Sequence, residues 1–282
     1  MARAVAVPLS RSGPKQAVHE NFPVASLLLA PANRERVMAF YAFARAADDI
    51  ADCPELEGTD KLARLDWFEQ GLGGQTGAPQ ALALHQALDG DERLLAHGGA
   101  LLQAFRRDAL GDCCRSWSDL MAYCACSAAP VGRFLLDLHD EDERLYPRAD
   151  SLCAALQVLN HLQDCGDDYR RLGRVYLPAD WMDSSGLDGA ILAGIDGGAA
   201  LRHVADLCLD RVEMLIEQSR ALPALMSDRR LRLETAIIVE IAARLAQNLR
   251  RQDPLAQRVQ LSPPAYAIAC CRGLFAGLRP PA

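Results

Sequence analysis

Positive charge, aromatic side chains and β-strand patterns are all scarce in this chain of 282 residues. Lys and Arg number 30 against 37 Asp and Glu, and the resulting net charge of −7 argues against a nucleic-acid partner. Aromatic residues make up 6% of the chain, and runs of Val, Ile and Thr with alternating polarity are nearly absent. Ala, Leu and Arg dominate instead, and because these residues favour helices we predict an all-α protein.

The 10 cysteines lack the spacing of a metal site or of a disulfide scaffold. They form three close pairs and four single residues, and no CxxC pair or Cys/His ladder occurs among them. We therefore expect reduced, mostly buried thiols in a cytoplasmic protein.

The sequence also lacks a long apolar run, since the stretch between Pro23 and Pro31 is too short to span a membrane. Residues from Gly71 to Pro79 are rich in glycine, but no GK[ST] follows, and we predict a loop rather than a phosphate cradle. The apolar stretch from Ala265 is predicted as a last core helix. The alternative for that stretch is peripheral contact with a membrane surface.

Acidic residues, by contrast, are clustered inside apolar stretches. In the segment AFYAFARAADDIAD, Asp48 and Asp52 lie one turn apart on a predicted helix, with Asp49 between them and with Arg45 and Tyr41 on the same stripe. Carboxylates at this spacing repel each other, by a few tenths of a kcal/mol on a solvated helix and by more when buried. A hard divalent cation with oxygen ligands would offset that repulsion.

A second acidic cluster repeats this spacing in the segment NHLQDCGDD. Asp164 and Asp168 are again four residues apart, with Asp167 between them, and the residues before them are apolar. Either cluster alone is compatible with an exposed acidic helix surface. Two of them in apolar surroundings predict a site where magnesium ions hold a diphosphate between facing helices.

The chain shows no internal repeat, low-complexity tract or linker. We predict a mobile N-terminal arm over residues 1–18 and one all-α domain over residues 19–282. The first acidic helix is predicted over residues 34–51, and the second over residues 150–164. A single helix, bent near Pro130, is predicted over residues 117–138.

Three segments in this order resemble the squalene/phytoene synthase family, whose members join or process farnesyl- or geranylgeranyl-type diphosphates. They are residues 39–52, residues 123–136 (YCACSAAPVGRFLL) and residues 157–178 (QVLNHLQDCGDDYRRLGRVYLP), and the resemblance covers roughly residues 19–275. It implies an isoprenoid-synthase helical bundle with a central cavity. Two aspartate-rich helices are then expected to face each other at the mouth of that cavity.

Within the family, the segments ENFPVAS and NHLQD look most like the hydroxysqualene synthase branch of bacterial hopanoid synthesis. That branch ionises presqualene diphosphate and captures the rearranged carbocation with water. Many relatives have Arg where Gln163 stands. Because Gln carries no positive charge, we expect weaker binding of one diphosphate. This suits an enzyme that handles a single diphosphate.

The same resemblance implies the roles of the site residues. It implies roughly two or three Mg²⁺ ions, held with the diphosphate by the paired aspartates. The magnesium ligands are Asp48, Asp52, Asp164 and Asp168, supported by Asp49 and Asp167. The remaining positions are Arg45 and Arg174 at the diphosphate, Asn160, Gln157 and Tyr41 along the acidic stripes, Tyr123 and Tyr176 near the reacting carbons, and Phe22 in the apolar wall.

For three of these residues a structural role stays open. Tyr123 could be a core tyrosine with a satisfied hydroxyl group, and Phe22 a core side chain. Arg45 could be a simple ion-pair partner of the neighbouring aspartates on its own helix.

We predict a Mg²⁺-dependent enzyme that converts presqualene diphosphate to hydroxysqualene, with a prenyl diphosphate as its substrate and no NADPH. The alternative on the same fold is head-to-head condensation of two allylic diphosphates to presqualene diphosphate, squalene or phytoene. A non-catalytic helical scaffold is a more distant alternative. Other hopanoid-pathway enzymes and a membrane that receives the lipid product remain open as partners of a cytoplasmic protein.

Overall fold

The computed structural model describes residues 28–112 and 114–278. All regular secondary structure in these ranges is helical, which confirms the all-α prediction. The predicted N-terminal arm, the ENFPVAS segment and Phe22 lie outside the described residues.

Twelve α-helices and two short 3-10 helices follow one another in the described ranges. The α-helices are α1 Pro31–Ala51, α2 Gly58–Leu72, α3 Pro79–Ala87, α4 Glu92–Ala109, α5 Trp117–Ser127, α6 Ala129–Leu138, α7 Tyr146–Leu172, α8 Ala179–Ser184, α9 Gly198–Ser219, α10 Leu222–Leu225, α11 Arg229–Leu249 and α12 Pro263–Gly277. The 3-10 helices are Glu143–Leu145 and Gly189–Ala193.

Proline and glycine set the ends of the two acidic helices. Pro31 begins α1, where its missing N–H costs nothing because the first N–H groups of a helix have no partner within it. Helix α7 is longer than predicted and continues to Leu172. It ends there because Gly173 has a φ of 65°, in the left-handed region that favours glycine. The whole second acidic cluster is therefore helical.

The single bent helix predicted over residues 117–138 is two helices. Helix α5 ends at Ser127, and Pro130 stands in the first turn of α6. Ala128 between them has φ −123° and ψ −45°, outside the helical region. This break turns α6 away from α5, and both helices pack against α7.

The two acidic helices pack on different partners. Helix α1 lies against α2, α3 and α4, whereas α7 lies against α5, α6, α9 and α11. Most of the core is one continuous apolar cluster that includes residues of both helices. Because α1 and α7 pack in separate groups, space remains between the ends that carry the aspartates.

Candidate active site

The C-terminal parts of α1 and α7 border one open cleft of about 710 Å³. Every aspartate predicted from the two acidic motifs contributes to its lining. The lining residues are Arg45, Asp48, Asp49, Asp52, Cys53, Pro54, Glu55, Asp164, Asp167, Asp168, Arg171 and Arg258. The fold thus brings together two motifs that are more than 100 residues apart in the sequence.

Burial and repulsion raise the pKa of three carboxyl groups in this cleft. Burial and the charge of Asp52 raise the pKa of Asp48 to about 8. Burial and the charges of Asp164 and Asp52 raise the pKa of Asp168 to about 7. Burial also raises the pKa of Asp164, against the opposing effect of Arg258. Since Asp52 on α1 acts on Asp168 on α7, the two motifs form one electrostatic unit.

This donor set fits magnesium that arrives with a phosphate ligand. No group of three or more His, Cys, Asp or Glu side chains within residues 28–112 and 114–278 is arranged to hold a metal ion by itself. Mg²⁺ commonly takes one or two carboxylates and completes its shell with substrate phosphates and waters. Paired carboxylates with raised pKa values on two helices of one cleft suit that kind of binding.

Two arginines neutralise the motif on α1. Arg45 lies 3.1 Å from Asp48 and 3.0 Å from Asp49. It therefore forms the ion pairs on its own helix that were the structural alternative for this residue. Arg174 pairs with Asp52 and also donates to the carbonyl of Ala51 at 2.7 Å. Because the carbonyls at a helix C-terminus lack intrahelical partners, Arg174 both caps α1 and places its charge at the motif.

The motif on α7 is neutralised by one arginine of its own helix and by one from elsewhere in the chain. Arg258 lies 2.9 Å from Asp164, and Arg170 lies 2.5 Å from Asp167. Arg258 belongs to the connection between α11 and α12, residues 250–262, which we call the α11–α12 strap. Sequence reasoning missed Arg258, since it is 94 residues away from Asp164 and sits in no motif.

Gln163 does not face the cleft. Its side chain is 3% exposed, and its amide donates to the carbonyl of Val259 at 2.5 Å. Arg258 supplies a cation beside the second motif, so the motif has positive charge although position 163 is Gln. The expected weaker binding of one diphosphate stays a prediction.

A buried polar cluster lies behind the cleft and was only partly predicted. Asp108 on α4 accepts hydrogen bonds from Tyr123 at 2.8 Å and from Tyr176 at 3.0 Å. His161 stacks on Tyr176, with ring centroids 4.0 Å apart. We call Asp108, Tyr123, His161 and Tyr176 the inner polar cluster. Arg174 connects it to the cleft, since it donates to the Asp108 carbonyl at 3.1 Å.

Burial sets the protonation states of the inner polar cluster. It raises the pKa of Asp108 and of Tyr123 and lowers the pKa of His161 to about 3. His161 is thus neutral at physiological pH. Tyr123 is buried with a satisfied hydroxyl group, as its structural role requires. Its ring lies beside that of Tyr176, with ring centroids 5.4 Å apart, and both hydroxyl groups donate to Asp108.

The other predicted residues lie further from the aspartates along the same helices. Gln157 is within 3.2 Å of His161, so it contacts the inner polar cluster. Asn160 and Tyr41 are half-buried, and neither contributes to the lining of the acidic cleft.

An apolar cavity of about 70 Å³ lies along the first half of α7, away from the aspartates. Ala149, Leu152, Cys153 and Leu156 of α7 form one side, and residues of α6, α10 and α11 close it. Its walls are almost entirely apolar, unlike those of the acidic cleft.

The fold and this cleft define a class of protein, and comparison with known proteins agrees. The squalene/phytoene synthase family model matches residues 15–265. The chain therefore belongs to the squalene/phytoene synthase family. It is 43% identical over 243 residues to hydroxysqualene synthase of Zymomonas mobilis, covering 85% of this chain and 82% of that protein. It is also 42% identical to hydroxysqualene synthase of Rhodopseudomonas palustris, covering 89% of this chain and 86% of that one.

Solved structures share the architecture. The crystal structure of squalene synthase HpnC from Alicyclobacillus acidocaldarius matches with a TM-score of 0.71 and 29% identity, covering 84% of this chain and 90% of that one. A dehydrosqualene synthase matches with a TM-score of 0.76 over 90% of both chains. At 24% identity, that second likeness supports the fold alone.

Proposed function

We propose that this enzyme converts presqualene diphosphate to hydroxysqualene. The observation that carries the proposal is the single cleft in which the six motif aspartates meet arginine side chains from three parts of the chain. The two relatives named hydroxysqualene synthase, similar over most of their length, support the choice of reaction within the family.

The aspartates of the cleft would hold the magnesium ions. Asp48 and Asp52 on α1 and Asp164 and Asp168 on α7 provide the hard oxygen ligands, with Asp49 and Asp167 beside them. Bound Mg²⁺ would neutralise charge on the diphosphate as it departs. The carboxyls with raised pKa values must lose their protons for this, so metal binding releases protons.

The arginines would change partners when the substrate binds. Arg45, Arg174 and Arg258 all pair with aspartates of the motifs. If those carboxylates held a metal, the guanidinium groups would be available to donate charge-assisted hydrogen bonds to diphosphate oxygens. Positive charge fixed in this way stabilises the leaving diphosphate most strongly when the C–O bond is breaking.

The carbocation then needs surrounding side chains that do not react with it. The C–O bond breaks with both electrons going to the diphosphate oxygen, and the carbon skeleton rearranges as a cation. A water oxygen forms the new C–O bond, and its proton leaves to the diphosphate. The ring faces of Tyr123, Tyr176 and neutral His161 can stabilise positive charge without bonding to it.

A product assay tests this function. The purified protein with Mg²⁺ is given presqualene diphosphate or farnesyl diphosphate, without NADPH, and the lipids are extracted. Hydroxysqualene from presqualene diphosphate alone is the expected result. No product from either substrate, with EDTA leaving thermal stability unchanged, would contradict the proposal and favour a scaffold.

The condensing alternative has one observation in its favour. Both motifs carry a cation, Arg45 on the first and Arg258 on the second, so positive charge is available for two diphosphates. Formation of presqualene diphosphate or a longer condensed product from an allylic diphosphate in the same assay would move the enzyme to that branch.

We further propose that α12 lies against a lipid surface. No helix within the described part of the chain is long and apolar enough to cross a bilayer. Helix α12 nevertheless turns its small residues inward: Gly273 packs so closely on the backbone of Ile237 that a side chain there would clash. Its large apolar residues face outward, with Phe275 74% exposed and Ile268 50% exposed.

Charge favours a lipid partner for this face. The chain has a net charge of −7, yet residues 261–282 contain no Asp or Glu and carry Arg272 and Arg279. Such a segment suits anionic lipid headgroups and an apolar product that leaves for a membrane.

Flotation with vesicles that contain anionic lipid tests the contact. Phe275→Ser should reduce binding, whereas Trp67→Ser, at an exposed apolar residue of α2, should not. Equal flotation of both variants would contradict the proposal. A dimer of the wild-type protein that Phe275→Ser dissociates would instead identify a second copy as the occupant.

A further inference from the structure

The α11–α12 strap runs along the second acidic motif rather than away from it. Between α11 and α12 it forms no regular secondary structure, yet Val259 is fully buried and Leu255 nearly so. A connection of this kind is normally exposed. Specific contacts must therefore hold the strap against the helices.

Successive residues of α7 contact the strap. The Gln163 amide donates to the carbonyl of Val259 at 2.5 Å. The next residue of α7, Asp164, pairs with the preceding residue of the strap, Arg258, whose Nε and Nη2 atoms lie 2.9 and 3.2 Å from the two carboxylate oxygens. The buried hydrogen bond from Gln163 to Val259 thus lies next to the exposed ion pair of Asp164 with Arg258.

Close packing supports the same register. Gly166 leaves room for Leu255, since a Cβ atom on Gly166 would come within 2.7 Å of the Leu255 Cδ2 atom. The next carbonyl of the strap, that of Gln260, accepts from Asn248 at 3.1 Å. The beginning of the strap is held separately, where Arg202 donates to the carbonyl of Gln252 at 3.2 Å. The Arg258 side chain remains 38% exposed and lines the acidic cleft.

We propose that Gln163 is a positioning residue that fixes the strap so that Arg258 delivers the positive charge of the second motif. Because the amide is buried, its hydrogen bond to the Val259 carbonyl fixes how deeply this part of the strap lies on α7. The Arg258 guanidinium then reaches Asp164 from the strap instead of from α7 itself. The Gln at this position is therefore part of how the site obtains its cation, and the inference rests on the proposed function.

A double-mutant cycle tests this coupling. Gln163→Met removes the amide donor at similar length, and Arg258→Gln removes the charge. Each single variant should lower kcat/KM for presqualene diphosphate by on the order of tenfold, mainly through KM. The double variant should be no worse than Arg258→Gln alone, because Gln163 acts through Arg258.

A binding readout keeps this test separate from the reaction. The affinity of each variant for inorganic pyrophosphate with Mg²⁺, measured by calorimetry, should show the same non-additivity even if the product of the enzyme is a different one. Arg202→Gln, which loosens the strap at Gln252, six residues before Arg258, is the matched control and should leave this affinity near the wild-type value.

Two results would overturn the proposal. If the fold-losses in affinity of Gln163→Met and Arg258→Gln multiply in the double variant, the two residues act independently. Wild-type affinity and kinetics in Gln163→Met would remove the role of Gln163 altogether. If Gln163→Met does not fold, Gln163→Asn replaces it, since it keeps an amide on a side chain too short for the bond to Val259. Gln163→Asn should lower the affinity by a smaller factor. It should cause no further loss of affinity in a protein that already carries Arg258→Gln.

Discussion

The two aspartate motifs have the same spacing, but the first aspartate of each obtains its positive charge in a different way. Asp48 and Asp49 pair with Arg45, one turn earlier on the same helix, whereas Asp164 pairs with Arg258 from the α11–α12 strap. A partner on the same helix is present as soon as the helix forms. A partner on the strap is present only when the tertiary structure is complete, so the ion pair of Asp164 depends on the fold in a way that the ion pair of Asp48 does not. The other pairs are reversed, since Asp52 pairs with the distant Arg174 and Asp167 with Arg170 on its own helix.

The largest expected effect is the loss of either motif. Asp48→Asn and Asp164→Asn should each lower kcat by about a thousandfold, because the metal ligand and its charge are lost while the side-chain shape is kept. Turnover of presqualene diphosphate is the measurement, and circular dichroism should show an unchanged helical content.

Asp183→Asn, an exposed aspartate on α8, is the control and should turn over at the wild-type rate. Wild-type turnover by either motif variant would refute the metal assignment. A much larger loss for one motif than for the other would show that the two differ in the chemistry as well as in their cations.

A second comparison concerns the cations of the first motif. Arg174→Gln should lower the free energy of unfolding by about 2 kcal/mol, because this partly buried guanidinium serves carbonyls of α1 and α4 as well as Asp52. Arg45→Gln, whose ion pairs are more exposed, should lower it by about 0.5 kcal/mol or less. Urea unfolding measures both, and equal losses would contradict this ranking.

Stability of the metal-free protein should fall as pH rises. The pKa of Asp48 is raised to about 8 and that of Asp168 to about 7. Between the ordinary Asp value of 3.8 and these raised values the folded state keeps protons that the unfolded chain has lost, so stability declines from about pH 4 to about pH 8. Melting temperatures in EDTA across this range measure the decline.

The matched control is the variant with both Asp48→Asn and Asp168→Asn, in which the decline should be much smaller. Mg²⁺ with pyrophosphate should also reduce it, because the bound cations offset the repulsion. A decline that persists in the double variant would mean that groups outside the cleft cause it.

The inner polar cluster should respond to pH with the opposite sign and only in acid. The pKa of His161 is lowered to about 3, below its ordinary value near 6.5. The unfolded chain therefore binds a proton first, and stability contributed by neutral His161 is lost as pH falls through this window. His161→Phe should make melting temperatures less sensitive to acid, and an unchanged sensitivity would contradict the assignment.

Much of the fold and of the acidic cleft was predictable, because both follow from local rules. The i,i+4 spacing of Asp48 with Asp52 and of Asp164 with Asp168 requires only a helix to place the carboxylates on one face. The resemblance to a known family added that the two faces meet. The end of α7 was missed, since the turn residue Gly173 lies beyond the acidic cluster that the prediction took as its limit.

The residues that were not predicted depend on long-range contacts. Arg258 reaches Asp164 across 94 residues, and no local pattern points to that pairing. Asp108 left a signal that could have been used: it continues the buried stripe of Leu101 and Phe105 on α4. An aspartate on the apolar face of a helix needs polar partners, and here these are Tyr123 and Tyr176.

Helix α7 also provides a length scale for any chain-shaped ligand whose charged head binds at the aspartates and whose tail follows the helix. At a rise of about 1.5 Å per residue, Ala149 lies roughly 22 Å along the axis from Asp164. Between these two residues the helix presents mainly apolar side chains, and the cavity beside Ala149 and Cys153 lies at the far end. For a hydrocarbon tail that lies along α7, the side chains at this end, rather than the aspartates, would limit how far the tail extends.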